Sequence, residues 1–523
     1  MELHERLCLC AKEKNWETLT DFLKPKQFPK DESGKLVDTK LLAKVAQITT
    51  DPSFEVPEKA KVILLKCLVN SCICAYKHKS YDIRDAKVSK YQTELYALLS
   101  QSPISVSTLK IDKTYPVETH FPYDGVSQLA VDTVLQFSKE EKKLSDEELD
   151  ILRQNVQFLS NLVTFACRNI SFPDYEEPPK CIENEEFKNA ISKLIGHEHI
   201  PVVRAASAFV HNMISQSIKD YFSNSDKSQL VKLLINAAKK GIQSASDVTL
   251  FLVQEKNLLP NIYNDLQIHE KLYLLEMIHL NLLESNQCFP VETAKFLADK
   301  FKKKSDLVLK TVDTYLDGME PMEVTILLDI LGILTSGDDE VSLILRGDKS
   351  LLINGLFLLK SLHMAGKESN NFFTPLQKLS EVAPCNLGQD ILLKEAENSK
   401  EGEKLPYNKN IQAHPAFGFK AGLIRLVGNM AFENKDNQDL IREEEGIPLI
   451  LDSCNIDARN PLIIQWSILA IKNLCNKNPN NQKVIQGCTK VGVVDSTVLR
   501  EMGLTLHEED GKAVGIMPFE MKK

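Results

Sequence analysis

An all-α protein built as an α-solenoid of stacked helical repeats is what this sequence predicts, on three observations. Leucine-rich segments with apolar residues three and four apart dominate the chain, and alternating strand-like patterns are almost absent. A polar-then-apolar phrase, "NMAFENKDNQDLIREEEGIPLIL" from Asn429 to Leu451, returns as "NLCNKNPNNQKVI" from Asn473 to Ile485, 44 residues on. With 523 residues and 43% hydrophobic content, the chain exceeds what one compact core usually holds, so it must divide or repeat.

The upstream helices follow in order: "EKAKVILLKCLVNSCICAYK", "LDILRQNVQFLSNLVTFACRN", "PVVRAASAFVHNMISQSI", "LYLLEMIHLNLLES", "MEVTILLDILGILTS" and "SLLINGLFLLKSLHM". Several are apolar on more than one face, as expected of helices sandwiched in a stacked array. One polar feature recurs in their C-terminal halves: Asn70, Asn161, Asn212, Asn429 and Asn473, each preceded by apolar residues. A carboxamide in an apolar helix must find hydrogen-bond partners. Two readings remain open: the side chains tie down the next turn of chain, or they form a row that contacts a bound peptide.

Residues 1–364 read as divergent helical repeats and residues 365–418 as an irregular insertion rich in Pro, Gly, Asn and charge. Within the insertion "LGQDILLKEAENSK" suits a short helix and "SKEGEKLPYNKN" an exposed loop. Residues 419–496 carry the C-terminal repeats, and residues 497–523 a cap and tail. In that tail, Asp510-Gly511 between short alternating runs signals a β-hairpin, with the final "PFEMKK" frayed.

The repeated phrase parses physically. Apolar residues from Leu423 to Phe432 end one helix, and Asn437 is read as the N-cap of a short helix, "QDLIREEE". Gly446 is read as the left-handed residue that ends it, with Pro448 in the first turn of the next helix. Asn460 is read as the cap, and Pro461 as the first turn, of a third helix running through Trp466 to Asn473. Asn437-Gln438 and Asn481-Gln482 hold equivalent places, while Gly492 falls two residues late against Gly446, as suits an irregular capping unit. Three helices at this period make the armadillo unit, which predicts an armadillo-like right-handed superhelix with a small C-terminal β-hairpin.

From Phe419 to Leu504, about a sixth of the chain, "NQD…GIPLIL…CNID…NP" goes beyond a general armadillo pattern and resembles the C-terminal domain of the ataxin-10 family. That resemblance implies a non-enzymatic scaffold, largely cytoplasmic with perinuclear and midbody pools, acting in neuronal survival, neurite growth and cytokinesis. It also implies self-association, and partners such as the O-linked N-acetylglucosamine transferase, G-protein β subunits and mitotic kinases.

The charge balance, 72 acidic against 63 basic residues, argues against a nucleic-acid surface. The one basic cluster, Lys300 to Lys304, reads as a solvated helix end. Twelve cysteines are scattered; the two close pairs, Cys8/Cys10 and Cys72/Cys74, read as small core residues, and a reducing compartment fits. No leader pattern is seen, and the apolar run from Val62 to Tyr76 is too short and too charged to span a bilayer.

His197 and His199 lack a third metal ligand and read as a loop, and the carboxylates of "GDDE" at 337–340 read as a solvated turn. No phosphate loop, nucleophile elbow or kinase signature occurs, so neither catalytic residue nor cofactor is expected.

The competing function is a nuclear-transport adaptor for basic peptides. Such receptors pair each groove Asn with a Trp one turn earlier. The corresponding positions here are Lys66, Gln157, Ala208, Arg425 and Leu469, so the Trp ladder is missing and Trp466 is read as core.

Overall fold

The computed structural model describes residues 2–28, 39–82, 123–139, 143–167, 179–215, 221–255, 257–284, 289–311, 319–368, 371–376, 414–455, 457–488, 504–509 and 513–518. The chain forms two compact units, Met1–Leu252 and Val253–Lys523. This division falls inside the stretch that the sequence reads as one N-terminal segment.

The first unit comprises α1 (Leu3–Lys12), α2 (Trp16–Phe22), α3 (Thr39–Thr50), α4 (Glu58–Asp82) and α5 (Tyr123–Lys139). It continues with α6 (Asp146–Cys167), α7 (Glu185–Ile195), α8 (Ile200–Ser215), α9 (Asn224–Lys239) and α10 (Gln243–Val253), whose last residue belongs to the second unit. Their starts have local causes. Asn184 Oδ1 accepts from the Glu186 amide at 2.9 Å to begin α7, and Ser223 with Asp226 forms a reciprocal capping box before α9.

α7 shows how pattern becomes packing. Phe187, Ala190, Ile191, Leu194 and Ile195 recur at helical spacing and are buried. The Phe187 ring meets Phe209 of α8 edge to face, with centroids 5.7 Å apart. Burying each such ring stabilises the fold by about 1.5–3 kcal/mol. Along the middle of the unit, α4, α6 and α8 pack side by side in that order.

The second unit comprises α11 (Leu258–Tyr263), α12 (Ile268–Glu284), α13 (Val291–Lys304), α14 (Glu320–Leu334), α15 (Glu340–Arg346) and α16 (Lys349–Glu368). After them come α17 (Phe419–Met430), α18 (Lys435–Glu443), α19 (Gly446–Asp452), α20 (Ile463–Cys475) and α21 (Pro479–Gln486). Here α12, α14, α17 and α20 pack in succession, with α13 and α16 beside them. The long helix α17 thus packs against α20, the long helix of the unit that follows.

Strands β1 (Leu504–Glu509) and β2 (Ala513–Pro518) pair antiparallel, Leu504 opposite Pro518 and Glu509 opposite Ala513. This is the expected hairpin; its Asp510-Gly511 turn lies outside the described residues, as do Gly492, the final residues 519–523, and the helix and loop expected between residues 387 and 410. α16 runs to Glu368, so the helix continues into the stretch read as an interruption.

Two sequence expectations change with packing. The lysines from Lys300 to Lys304 are not simply a solvated helix end. Lys304 Nζ donates to the fully buried Glu323 at 2.8 Å, Lys302 reaches Asp348 at 2.8 Å and Asp299 at 3.0 Å, and Lys300 lies over the Tyr263 and Phe296 rings. Only the end of α13 brings these stems within reach of α11, α14 and the α15–α16 turn. In the carboxylate turn, Asp339 does local work: its side chain accepts from Ser342 N at 2.8 Å and caps α15.

Other expectations sit where the sequence placed them. Cys10, Cys67 and Cys72 are buried and Cys8 is partly so. Burial pushes the Cys67 thiol well above its usual value, which leaves it an unreactive core side chain. His197 and His199 lie in the loop before α8, where His197 Nδ1 accepts from the His199 amide at 2.9 Å. Among the described residues, no helix is long and apolar enough to cross a membrane.

Candidate functional site

The recurring asparagines form a ladder. In the first unit Asn161 Nδ2 donates to the Val69 carbonyl at 3.2 Å, and Asn212 Nδ2 to the Ser160 carbonyl at 3.0 Å. Each asparagine thus binds the carbonyl just before its counterpart in the preceding long helix. Asn70, at the start of this row, donates to the Pro25 carbonyl at 2.7 Å.

The second unit repeats the rule. Asn473 Nδ2 donates to Gly428 O at 3.0 Å, just before Asn429, and Asn429 Nδ2 donates to Gly332 O at 3.0 Å and Thr335 Oγ1 at 3.1 Å. Ile333 stands where α14 would carry its asparagine. Both side chains are nearly buried, at 6% exposure for Asn429 and 7% for Asn473. The tying role is therefore real for the amide nitrogens, though the partner is the neighbouring helix and not the following turn.

A second set of carboxamides knits the short helices. Asn437 Nδ2 donates to Arg346 O at 2.7 Å and Met430 O at 2.8 Å, so it is not the cap. The helix begins a turn earlier, and Asn434 Oδ1 caps it by accepting from Asn437 N at 3.1 Å. Asn481 repeats this arrangement, donating to Leu474 O at 2.8 Å and Gln438 O at 3.1 Å, with Asn478 as the cap. Gln438 Nε2 reaches the Asn473 carbonyl at 2.9 Å, while Gln482 Nε2 reaches the Cys475 carbonyl at 2.9 Å. Asn434 and Asn478 had a signal in the sequence: both stand three residues before the paired Asn-Gln.

Three further expectations need correction. The left-handed residue before α19 is Glu445, with φ 60°, and Gly446 is the first helical residue. A glycine is needed there for closeness: a Cβ would lie 2.6 Å from Ile441 Cγ2 and 2.9 Å from its carbonyl oxygen. Pro448 lies in the first turn of α19, as read.

Asn460 does not cap α20, whose flanking residue is Leu462 with φ 61°; Pro461 precedes it outside the helix. Instead Asn460 Oδ1 accepts from Ala421 N at 3.2 Å, capping the neighbouring α17, and its Nδ2 donates to Asp457 at 2.7 Å. Nor is Trp466 a core residue. It is half-buried, and the Arg425 guanidinium carbon stands 4.9 Å from its ring centroid.

That stack belongs to a line across four successive helices: His279 on α12, Asp329 on α14, Arg425 on α17 and Trp466 on α20. Arg425 also lies flat over Gly332 of α14, where an added Cβ would stand 3.3 Å from its Cδ, Nε and Cζ. Arg425 Nε is buried without a hydrogen-bond partner. Burial raises the Asp329 carboxyl above its usual value, against the attraction of His279 and Arg425, and burial likewise lowers the Arg425 guanidinium against the pull of Asp329. Among the described residues Asp329 forms no ion pair. Asp329 and His279 escaped the sequence reading because neither belongs to a motif within its own helix; only stacking aligns them.

Stacked three-helix repeats joined by carboxamide-to-carbonyl bonds define an all-α solenoid of the armadillo-like class. The family profile described as "Spinocerebellar ataxia type 10 protein domain" matches residues 419–515. Ataxin-10 of Xenopus tropicalis is 35% identical over 263 residues, 49% of this chain and 48% of that protein. Ataxin-10 of Bos taurus is 27% identical over 401 residues, 75% of this chain and 76% of its own length, and that of Homo sapiens 28% over 397 residues, 74% and 75%. Residues 419–515 match the domain of the ataxin-10 family, and the chain is similar to ataxin-10 proteins over as much as three quarters of its length. The match thus spans about half the length of the frog relative and three quarters of the mammalian ones. Among solved structures, an engineered protein aligns over 91% of this chain and 99% of its own at 13% identity and a TM-score of 0.31, a likeness too slight to carry an argument.

Proposed function

We propose that this chain is a non-enzymatic scaffold that binds other proteins. The supporting observation is the row of His279, Asp329, Arg425 and Trp466 on α12, α14, α17 and α20, in which Arg425 stacks on Trp466 and its Nε has no internal hydrogen-bond partner. Such a row supplies anchors within a stacked framework. Following the family resemblance, its partners are the O-linked N-acetylglucosamine transferase, a G-protein β subunit and mitotic kinases, and it associates with itself. By the same route it acts in the cytoplasm, in neuronal survival, neurite growth and cytokinesis. The cationic Arg425, one turn before Asn429, repels the basic peptides that a nuclear-transport adaptor carries.

Purified full-length chain mixed with each named partner from the same organism should give saturable binding by calorimetry and no substrate turnover of its own. Failure to bind any of them removes the partner assignment. Tight, salt-sensitive capture of a basic nuclear-localisation peptide would replace the scaffold with the adaptor.

A further inference from the structure

The row on the second unit can be given a ligand chemistry. Arg425 carries five donors in a planar fork, and its guanidinium is held between Gly332 and the Trp466 ring. Among the described residues none of these donors is hydrogen-bonded, and Nε is buried. Folded proteins leave few buried donors unmade. A cation pinned by stacking and left without an acceptor is arranged for an acceptor that arrives from outside.

The neighbouring groups extend the pattern. Asn429 and Asn473 use Nδ2 within the ladder, and among the described residues no donor reaches either Oδ1. Both oxygens can accept main-chain N–H groups. Just before α20, the left-handed Leu462 is 57% exposed and offers an apolar side chain four residues before Trp466. Asp329 lies close enough to attract the Arg425 guanidinium without forming an ion pair with it among the described residues.

We propose that this row docks an extended segment of a partner protein, with an Asp or Glu side chain bound by the Arg425 fork and an apolar residue against Trp466 and Leu462. The planar fork matches a carboxylate in two parallel hydrogen bonds, which a lysine could not reproduce. The proposal rests on the scaffold reading and names the chemistry of what the scaffold holds.

Trp16 and Trp466 are the only tryptophans, so Trp16→Phe leaves Trp466 emission as a direct reporter of the stack. A displayed library of random twelve-residue peptides is selected on the full chain, and the winners are synthesised. They are expected to share an acidic residue flanked by apolar ones and to change Trp466 emission on titration. Affinity should fall about tenfold or more when the acidic residue becomes its amide, or in Arg425→Leu, and also fall in Arg425→Lys.

Gly332→Ala provides a second variant that keeps every charge; its methyl group, 3.3 Å from the Arg425 Cδ, Nε and Cζ, shifts the guanidinium by a few tenths of an ångström and should weaken the same peptides. Selection without acidic enrichment, unchanged Trp466 emission, or equal binding by folded Arg425→Leu and Gly332→Ala chains overturns the proposal. If wild type and Arg425→Leu bind the transferase, G-protein and kinase partners equally, the groove fails and the scaffold stands. If neither binds any partner or peptide, both fail.

Discussion

At Asn473 a single bond from Nδ2 to the Gly428 carbonyl, 3.0 Å long, joins one repeat to the one before it. Removing it leaves a buried carbonyl without that donor, so Asn473→Ala should lower unfolding free energy by about 1–3 kcal/mol in urea titrations. A role confined to peptide contact would leave that midpoint unchanged. Asp329 should behave oppositely. Burial raises its carboxyl above the ordinary value of 3.8, so its folded form resists ionisation. A raised folded value means stability is present below the unfolded value and lost as pH rises through the folded one. Asp329→Asn is therefore expected to melt higher than wild type at pH 7, with the gain vanishing below about pH 4 in thermal scans. The asparagines were legible in sequence because the same residue type recurs at the same helical place. Asp329 and Arg425 were not, because nothing in a single helix says which neighbour will lie beside it.

At the scale of elements, the short helices were legible from their polar breaks and their proline, but their first residues were not. Asn434, Asn437 and Asn460 all have side chains able to cap. Which one does so depends on geometry: Asn437 turns inward to the Arg346 carbonyl, and Asn460 caps α17 across the repeat. The end of α13 makes the same point with charge. Glu323 has no exposed side-chain surface, and it accepts from Tyr263 Oη at 2.9 Å and Lys304 Nζ at 2.8 Å. Lys304→Met strands that carboxylate, and because the lysine is itself partly exposed the loss should lie near about 3 kcal/mol, measured by denaturant unfolding. A solvated lysine at a helix end would show almost no change.

At the scale of the whole molecule, the chain contains two compact units divided between Leu252 and Val253. Chains of this kind depart from all-or-none unfolding, so calorimetry should resolve more than one transition, with Lys304→Met lowering only the one that belongs to the second unit. The division had no sequence marker, since helices of similar composition run on both sides of it. By itself the sequence determined the all-helical class, the repeat and the recurring asparagines, because each is written in local periodicity and spacing, and its C-terminal motifs carried the resemblance to the ataxin-10 domain. Only the tertiary structure decided the direction of each carboxamide bond, the cap of each helix, and the meeting of Asp329, Arg425 and Trp466. Those depend on which helix faces meet across repeats, and such contacts join residues far apart in the chain.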